Sequence, residues 1–219
     1  MKKPKLAIIG SGVISHFHID AFRHAGFTIS HCAARKNSES AEIISKKYNI
    51  ENYIKDPFDL IKAYDDWDVL LLAISTDSNN LYLDKLIELD KLCLIEKPVS
   101  TNIDFLKKYC NKKLPNIRVA YNRRFYKTIQ TAKSFISNSE SVICKMELPE
   151  NVNPNSKNKY DSVLLNSVHG IDLLIYLMGK LKIANLTKLP KNNGRYCELK
   201  NDRGDNIFLL MNWNSPSNF

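Results

Sequence analysis

The chain has 219 residues, 32 basic against 23 acidic for a formal charge of +9, 44% hydrophobic residues and five cysteines. That length buries roughly 70% of the unfolded surface, enough for two modest domains. No run reaches the ~18 apolar residues of a membrane span, and MKKPK leads into an apolar run with no signal-peptide core, so the expectation is a soluble cytoplasmic protein without membrane contact.

Residues 6–9 (LAII) form a short continuous apolar run, the pattern of a strand buried on both faces of a parallel sheet. Gly10 and Gly12 follow, separated by Ser11, and a helix begins at Val13 and Ile14. Glycines there allow a tight turn and close backbone approach, and the first N–H groups of the helix suit a diphosphate. The dinucleotide-binding fingerprint places a third small residue three positions after Gly12, and Ser15 stands there. A Gly-X-Gly by itself is equally consistent with a plain strand-to-helix turn.

Residues 27–34 read as a second strand and residues 38–48 as a helix capped by Asn37 or Ser38. At the end of that strand, where a carboxylate would bond a ribose 2′-hydroxyl, stand Arg35 and Lys36. Two cations favour a 2′-phosphate, hence NADP over NAD; the bland alternative is ordinary surface charge.

Residues 54–64 supply a short helix with Asp56 and Pro57 at its start, and residues 69–74 (VLLLAI) a third buried strand. Residues 75–80 read as the loop at that strand's end, which places Ser75 and Thr76 on the nucleotide crevice, and a helix spans 81–89. The strand at 92–95 ends in Glu96, Lys97 and Pro98, charged groups on a fixed turn where open α/β sheets bind ligands. A helix over 101–110 and a strand over 117–121 complete a doubly wound parallel domain over residues 1–120.

In residues 121–219 the alternation ends. A helix spans 127–136, residues 142–148 alternate like a half-exposed antiparallel strand, and 150–159 form a polar loop. Residues 162–178 read as the main helix, with Leu164, Leu165, Val168, Ile171, Leu174, Ile175 and Met178 on its apolar face and Gly179 as cap. His169 lies beside that face; from spacing alone such a histidine is more often structural than catalytic. Strands at 195–199 and 206–212 give a smaller α+β domain with an open, mainly antiparallel sheet that looks unfinished.

The cysteines, Cys32, Cys93, Cys110, Cys144 and Cys197, are odd in number and form no Cys-X-X-Cys pair, against a disulfide framework or zinc site. Basic residues occur as singles and pairs without aromatic platforms, so the charge argues for a phosphorylated small molecule rather than nucleic acid.

GSGVISHFHIDAF at the start, IEKPVS at 95–100, YNRRF at 121–125 and NSVHGIDLLIYLMG at 166–179 together resemble the Gfo/Idh/MocA oxidoreductases. The resemblance implies a Rossmann domain, a second domain whose sheet serves homo-oligomerisation, and metal-free hydride transfer between a nicotinamide and a carbinol or carbonyl carbon of a sugar, cyclitol or sugar nucleotide. It implies that Lys97 binds and polarises the substrate hydroxyl, that Pro98 shapes the turn beside the nicotinamide, and that His169 exchanges the hydroxyl proton. Asn122, Arg124 and Asn166 complete the implied substrate side. The chain departs from the family at Leu165, where many members carry an acid, and at Ser75 and Asn79, where proline and histidine are common; it is also shorter. These departures keep open a second reading, a nucleotide-binding sensor of the same fold with weakened turnover.

Overall fold

The computed structural model describes residues 2–35, 37–152 and 166–216. The predicted Lys36 site, residues 162–165 of the predicted helix with Leu164 and Leu165, and most of the predicted polar loop at 150–159 lie outside them. The chain divides into two compact units, residues 1–120 and 121–219.

In the first unit β1 (Lys5–Ile9), β2 (Thr28–Ala33), β3 (Asn52–Ile54), β4 (Val69–Leu72), β5 (Leu92–Ile95) and β6 (Ile117–Val119) form one parallel sheet in the order β3-β2-β1-β4-β5-β6. This is the Rossmann order, with its switch point between β1 and β4. The apolar runs are continuous because both faces are covered. Leu6 and Ile8 pack with Ile19 of α1 (Val13–His24) and Ile44 of α2 (Glu39–Tyr48). Ala7 and Ile9 point the other way, towards Leu60 of α3 (Pro57–Lys62) and Leu83 and Leu86 of α4 (Thr76–Glu88). The short α5 (Ile103–Lys107) starts at Asn102, whose side chain accepts from Phe105 N.

Two expectations change here. Residues 52–54 form a strand, so the predicted helix from 54 begins only at Pro57, with the Asp56 side chain accepting from Phe58 N. Residues 76–80 are the first turns of α4 rather than a loop. Their polar composition mimics a loop, but Asn79 is spent on a buried contact and Ser78 faces a cleft.

In the second unit β7 (Ile143–Pro149), β8 (Leu181–Lys188), β9 (Gly194–Asn201) and β10 (Asn206–Asn212) form a sheet in the order β7-β10-β9-β8. Two of its pairings are antiparallel, but β7 runs parallel to β10, against the expectation for residues 142–148. A crossover separates β7 from β10, and its course, not the local sequence, sets the direction. Among the described residues, α6 (Lys127–Asn138) and α7 (Val168–Met178) are the unit's α-helices, and Leu174 and Met178 of α7 meet Leu148, Cys197, Leu199, Ile207 and Leu209 in one core. Within α7, Leu173 is buried and Ile175 is exposed, a correction to the predicted apolar face. β8 has no counterpart among the predicted strands, because it is mostly exposed and its alternation breaks where the register slips between Ile183 and Asn185.

Candidate functional site: a dinucleotide cleft at the switch point

β1 ends at Ile9, and Gly10 turns the chain with φ of +111°, its N–H donating to Ala33 O at 2.9 Å. A Cβ on Gly10 would lie 2.1 Å from Ala73 O, so the backbones approach too closely for any other residue. Ser15, standing where the fingerprint has its third glycine, is fully buried and donates its hydroxyl to Gly10 O at 3.2 Å. The serine therefore braces the loop from beneath. Gly12 differs: a Cβ there would meet nothing within 4 Å, the residue is the N-cap of α1, no side chain caps it, and no acid occupies the first turn. The helix thus presents its positive end to open space, as a diphosphate requires.

That space is a cleft of about 760 Å³. It brings together the predicted Gly10, Ser11, Gly12, Ile14, Arg35 and Ser75. Val13, 78% exposed, does not line it; nor do Thr76, Glu96, Lys97 and Pro98. The cleft adds residues that the sequence did not single out as ligands: Ser38, Ser40, Ser78 and Tyr82. Ser11 Oγ lies 2.7 Å from Ser40 Oγ and 3.3 Å from Ser38 Oγ, so the expected capping hydroxyl of Ser38 is used across the cleft and makes no cap bond. Nothing in local sequence distinguishes such serines from ordinary helix-start residues.

Glu96 and Lys97 form a separate locus past the end of β5. Glu96 Oε1 lies 2.5 Å from His18 Nε2, and Glu96 Oε2 accepts from Lys97 N at 3.0 Å. Burial alone would raise the Glu96 carboxyl, but the His18 contact and the Lys97 N–H and charge outweigh it, and its pKa lies below the ordinary value. The Lys97–Pro98 peptide is cis. Asn79, 1% exposed, donates to Val99 O at 3.0 Å and Pro98 O at 3.4 Å.

In the second unit Arg124 donates to both carboxylate oxygens of Asp172, Nε reaching Oδ2 at 2.7 Å and the second bond running from Nη2 to Oδ1. Its guanidinium also lies over the rings of Tyr121 and Tyr176, at 5.5 and 5.4 Å from their centroids. The bonds to Asp172 raise its pKa further, and burial first of all raises that of Tyr121. His169, in the first turn of α7, forms a T-shaped pair with the Tyr121 ring, the centroids 6.2 Å apart. Gly170 lets the helix approach β7, since a Cβ there would lie 2.3 Å from Leu148 Cδ2. Asn166 donates to Glu150 Oε2 at 3.2 Å and Ser167 to Glu150 Oε1 at 2.6 Å, with Glu150 fully buried. Glu150 was not a predicted site residue, and only the fold shows its partners. Asn122 is exposed in the 3₁₀ turn Asn122–Phe125.

The model of the oxidoreductase family with an NAD-binding Rossmann fold, Gfo/Idh/MocA, matches residues 5–113. Through this unit the chain belongs to that family. Its fold is that of a myo-inositol dehydrogenase from Lactobacillus casei in complex with NAD(H) and myo-inositol, with a TM-score of 0.77 at 18% identity over 98% of this chain and 68% of that one. The MviM dehydrogenase of Clostridium difficile gives 0.77 at 19% identity, over 99% of this chain and 72% of that one. The WlbA dehydrogenase of Thermus thermophilus in complex with NAD and UDP-GlcNAcA gives 0.72 at 13%, over 97% and 74%. No curated protein sequence matches. Among the described residues no helix is long and apolar enough to cross a membrane.

Proposed function

We propose that this protein is a nicotinamide-dependent oxidoreductase that prefers NADP(H) and acts on a CH–OH or carbonyl carbon of a sugar, cyclitol or sugar nucleotide. The carrying observation is the cleft itself, with an uncapped helix N-terminus over Gly12 and Arg35 on its wall. The bound nicotinamide supplies or accepts the hydride. Gly10, Ser11 and Gly12 hold the diphosphate, and Arg35, with Lys36 beside it in sequence, carries the 2′-phosphate. Lys97 stabilises developing alkoxide charge, and His169 takes or returns the hydroxyl proton, roles assigned through the family resemblance. Asn122 and Arg124 act on the substrate side, Arg124 in the orientation that Asp172 imposes. The exposed sheet face carrying Ile143, 77% exposed, with the stacked Tyr196 and Phe208 rings, suits assembly into a homo-oligomer. The family relation and the expected soluble character are consistent with work in the cytoplasm.

Titration with NADPH and with NADH by nicotinamide fluorescence, followed by a keto-sugar screen, tests the reading. NADPH binding at least about tenfold tighter, with turnover of one sugar and loss of about 100-fold or more in kcat for His169→Ala at unchanged NADPH affinity, is the expected result. Failure of both nucleotides to bind overturns it.

A second reading is a sensor that binds nucleotide without turnover. Two observations favour it: Asn79 gives its amide to backbone carbonyls, and Asn166 gives its amide to Glu150. Nucleotide binding with no sugar turned over would select this reading.

A further inference from the structure

We propose that His18 is a positioning residue for Lys97, acting through Glu96, and this rests on the reading of Lys97 as the catalytic lysine. Glu96 stands between the two: one carboxylate oxygen is 2.5 Å from His18 Nε2 and the other accepts the Lys97 backbone N–H at 3.0 Å. The side chains of His18 and Glu96 are only 17% and 13% exposed, so water competes poorly for this chain of contacts. Glu96 is itself anchored in the sheet, its N–H donating to Leu72 O at 2.9 Å.

The other side of the turn is held as well. Asn79 of α4 donates to Pro98 O and Val99 O, the two carbonyls that follow Lys97. Lys97 is therefore the residue between two clamped points, one gripped from α1 and one from α4. α1 is also the helix that opens on Gly12, so the element facing the diphosphate and the one gripping the lysine turn are the same rigid body. Removing the His18 donor leaves Glu96 Oε1 without that partner. The carboxylate then turns towards water and releases the Lys97 N–H, while the glycine loop, held by Ala33, Ser15 and Ala73, stays in place.

The test compares His18→Leu, which has no donor, with His18→Gln, which carries a side-chain N–H near the position of Nε2. The first readout needs no turnover: the rate of reductive methylation at Lys97, followed by peptide mass spectrometry, with the exposed Lys62 and Lys107 as internal controls. H18L should change Lys97 labelling by about threefold or more with the controls unchanged, and H18Q should return it to within about 1.5-fold. NADPH affinity should stay within about threefold, while kcat falls about tenfold in H18L and recovers in H18Q. Unchanged Lys97 labelling in folded H18L overturns the proposal, as does a change shared by the control lysines and not rescued by H18Q. If H18L does not fold, His18→Ala takes its place, because it removes the same donor without adding an apolar branch; unchanged Lys97 labelling there overturns the proposal equally. A wild-type protein that turns over no sugar defeats the oxidoreductase reading, while Lys97 labelling still decides the role of His18.

Discussion

The Ser11 hydroxyl lies 2.7 Å from the Ser40 hydroxyl, and so ties the glycine loop after β1 to the start of α2. With Ser38 at 3.3 Å from Ser11, this cluster and Arg35 line the same cleft. A charge-assisted bond to a phosphate is worth about 1.5–3 kcal/mol, so Arg35→Ala should weaken NADPH by about tenfold or more. NADH, lacking the 2′-phosphate, should lose less than about threefold. Fluorescence titration of both nucleotides checks this, and equal losses would place Arg35 elsewhere than on the phosphate.

Gly10→Ala should be among the most damaging single changes in the first unit. It combines a φ of +111° with a Cβ only 2.1 Å from a backbone oxygen, which cannot rotate away as a side chain could. A loss of about 2–4 kcal/mol is expected in urea unfolding, together with loss of nucleotide binding. Gly12→Ala meets open space and should leave folding stability within about 1 kcal/mol, while the added methyl intrudes on the diphosphate.

Glu96 in the first unit and Asp205 in the second are held below their ordinary values. Glu96 is lowered by His18 and Lys97 against the opposing effect of burial. Asp205 is lowered first by the N–H of Val142, then by the Asn201 amide and the Arg203 charge. The native state prefers both ionised, so their stabilisation is complete above the ordinary carboxyl range and disappears as pH falls through the lower native values. Stability measured by urea midpoint should therefore drop below about pH 4.5, and Asp205→Asn or Glu96→Gln should each make that drop shallower. A slope identical to wild type in both variants would contradict the assignment.

Asp172→Asn should loosen the second unit. Asp172 is 8% exposed and receives two donors from Arg124, which itself lies between Tyr121 and Tyr176. An amide accepts at one oxygen only and carries no charge, so a cost of about 1–3 kcal/mol is expected in denaturant unfolding. Because Tyr121 also meets His169, the variant should lower kcat more than it changes NADPH affinity, which a turnover assay and a nucleotide titration separate.

Much of the first unit was legible because its signals are local. The runs at 6–9, 69–72 and 92–95 are apolar throughout, the first two because their strands are covered on both faces, and Gly10 stands where the backbone demands glycine. The resemblance carried by the glycine loop, IEKPVS and NSVHGIDLLIYLMG led to the same family that residues 5–113 match. Less was legible where pairing, not burial, makes the structure. β3 is three residues at a sheet edge, and β8 is largely exposed and slipped in register, so neither carries a hydrophobic period. The parallel course of β7 beside β10 was illegible for a related reason, since strand direction is a property of the connection. The polar partners were the least legible. His18 finds Glu96 across 78 positions and Arg124 finds Asp172 across 48, and no short-range pattern encodes either choice. The buried strands, the glycine turn and the cation after β2 could be read without coordinates, because each follows from a residue's own chemistry and its near neighbours. Which buried polar groups satisfy one another emerges only in the folded chain, because a hydrogen bond in the interior depends on where distant segments come to rest.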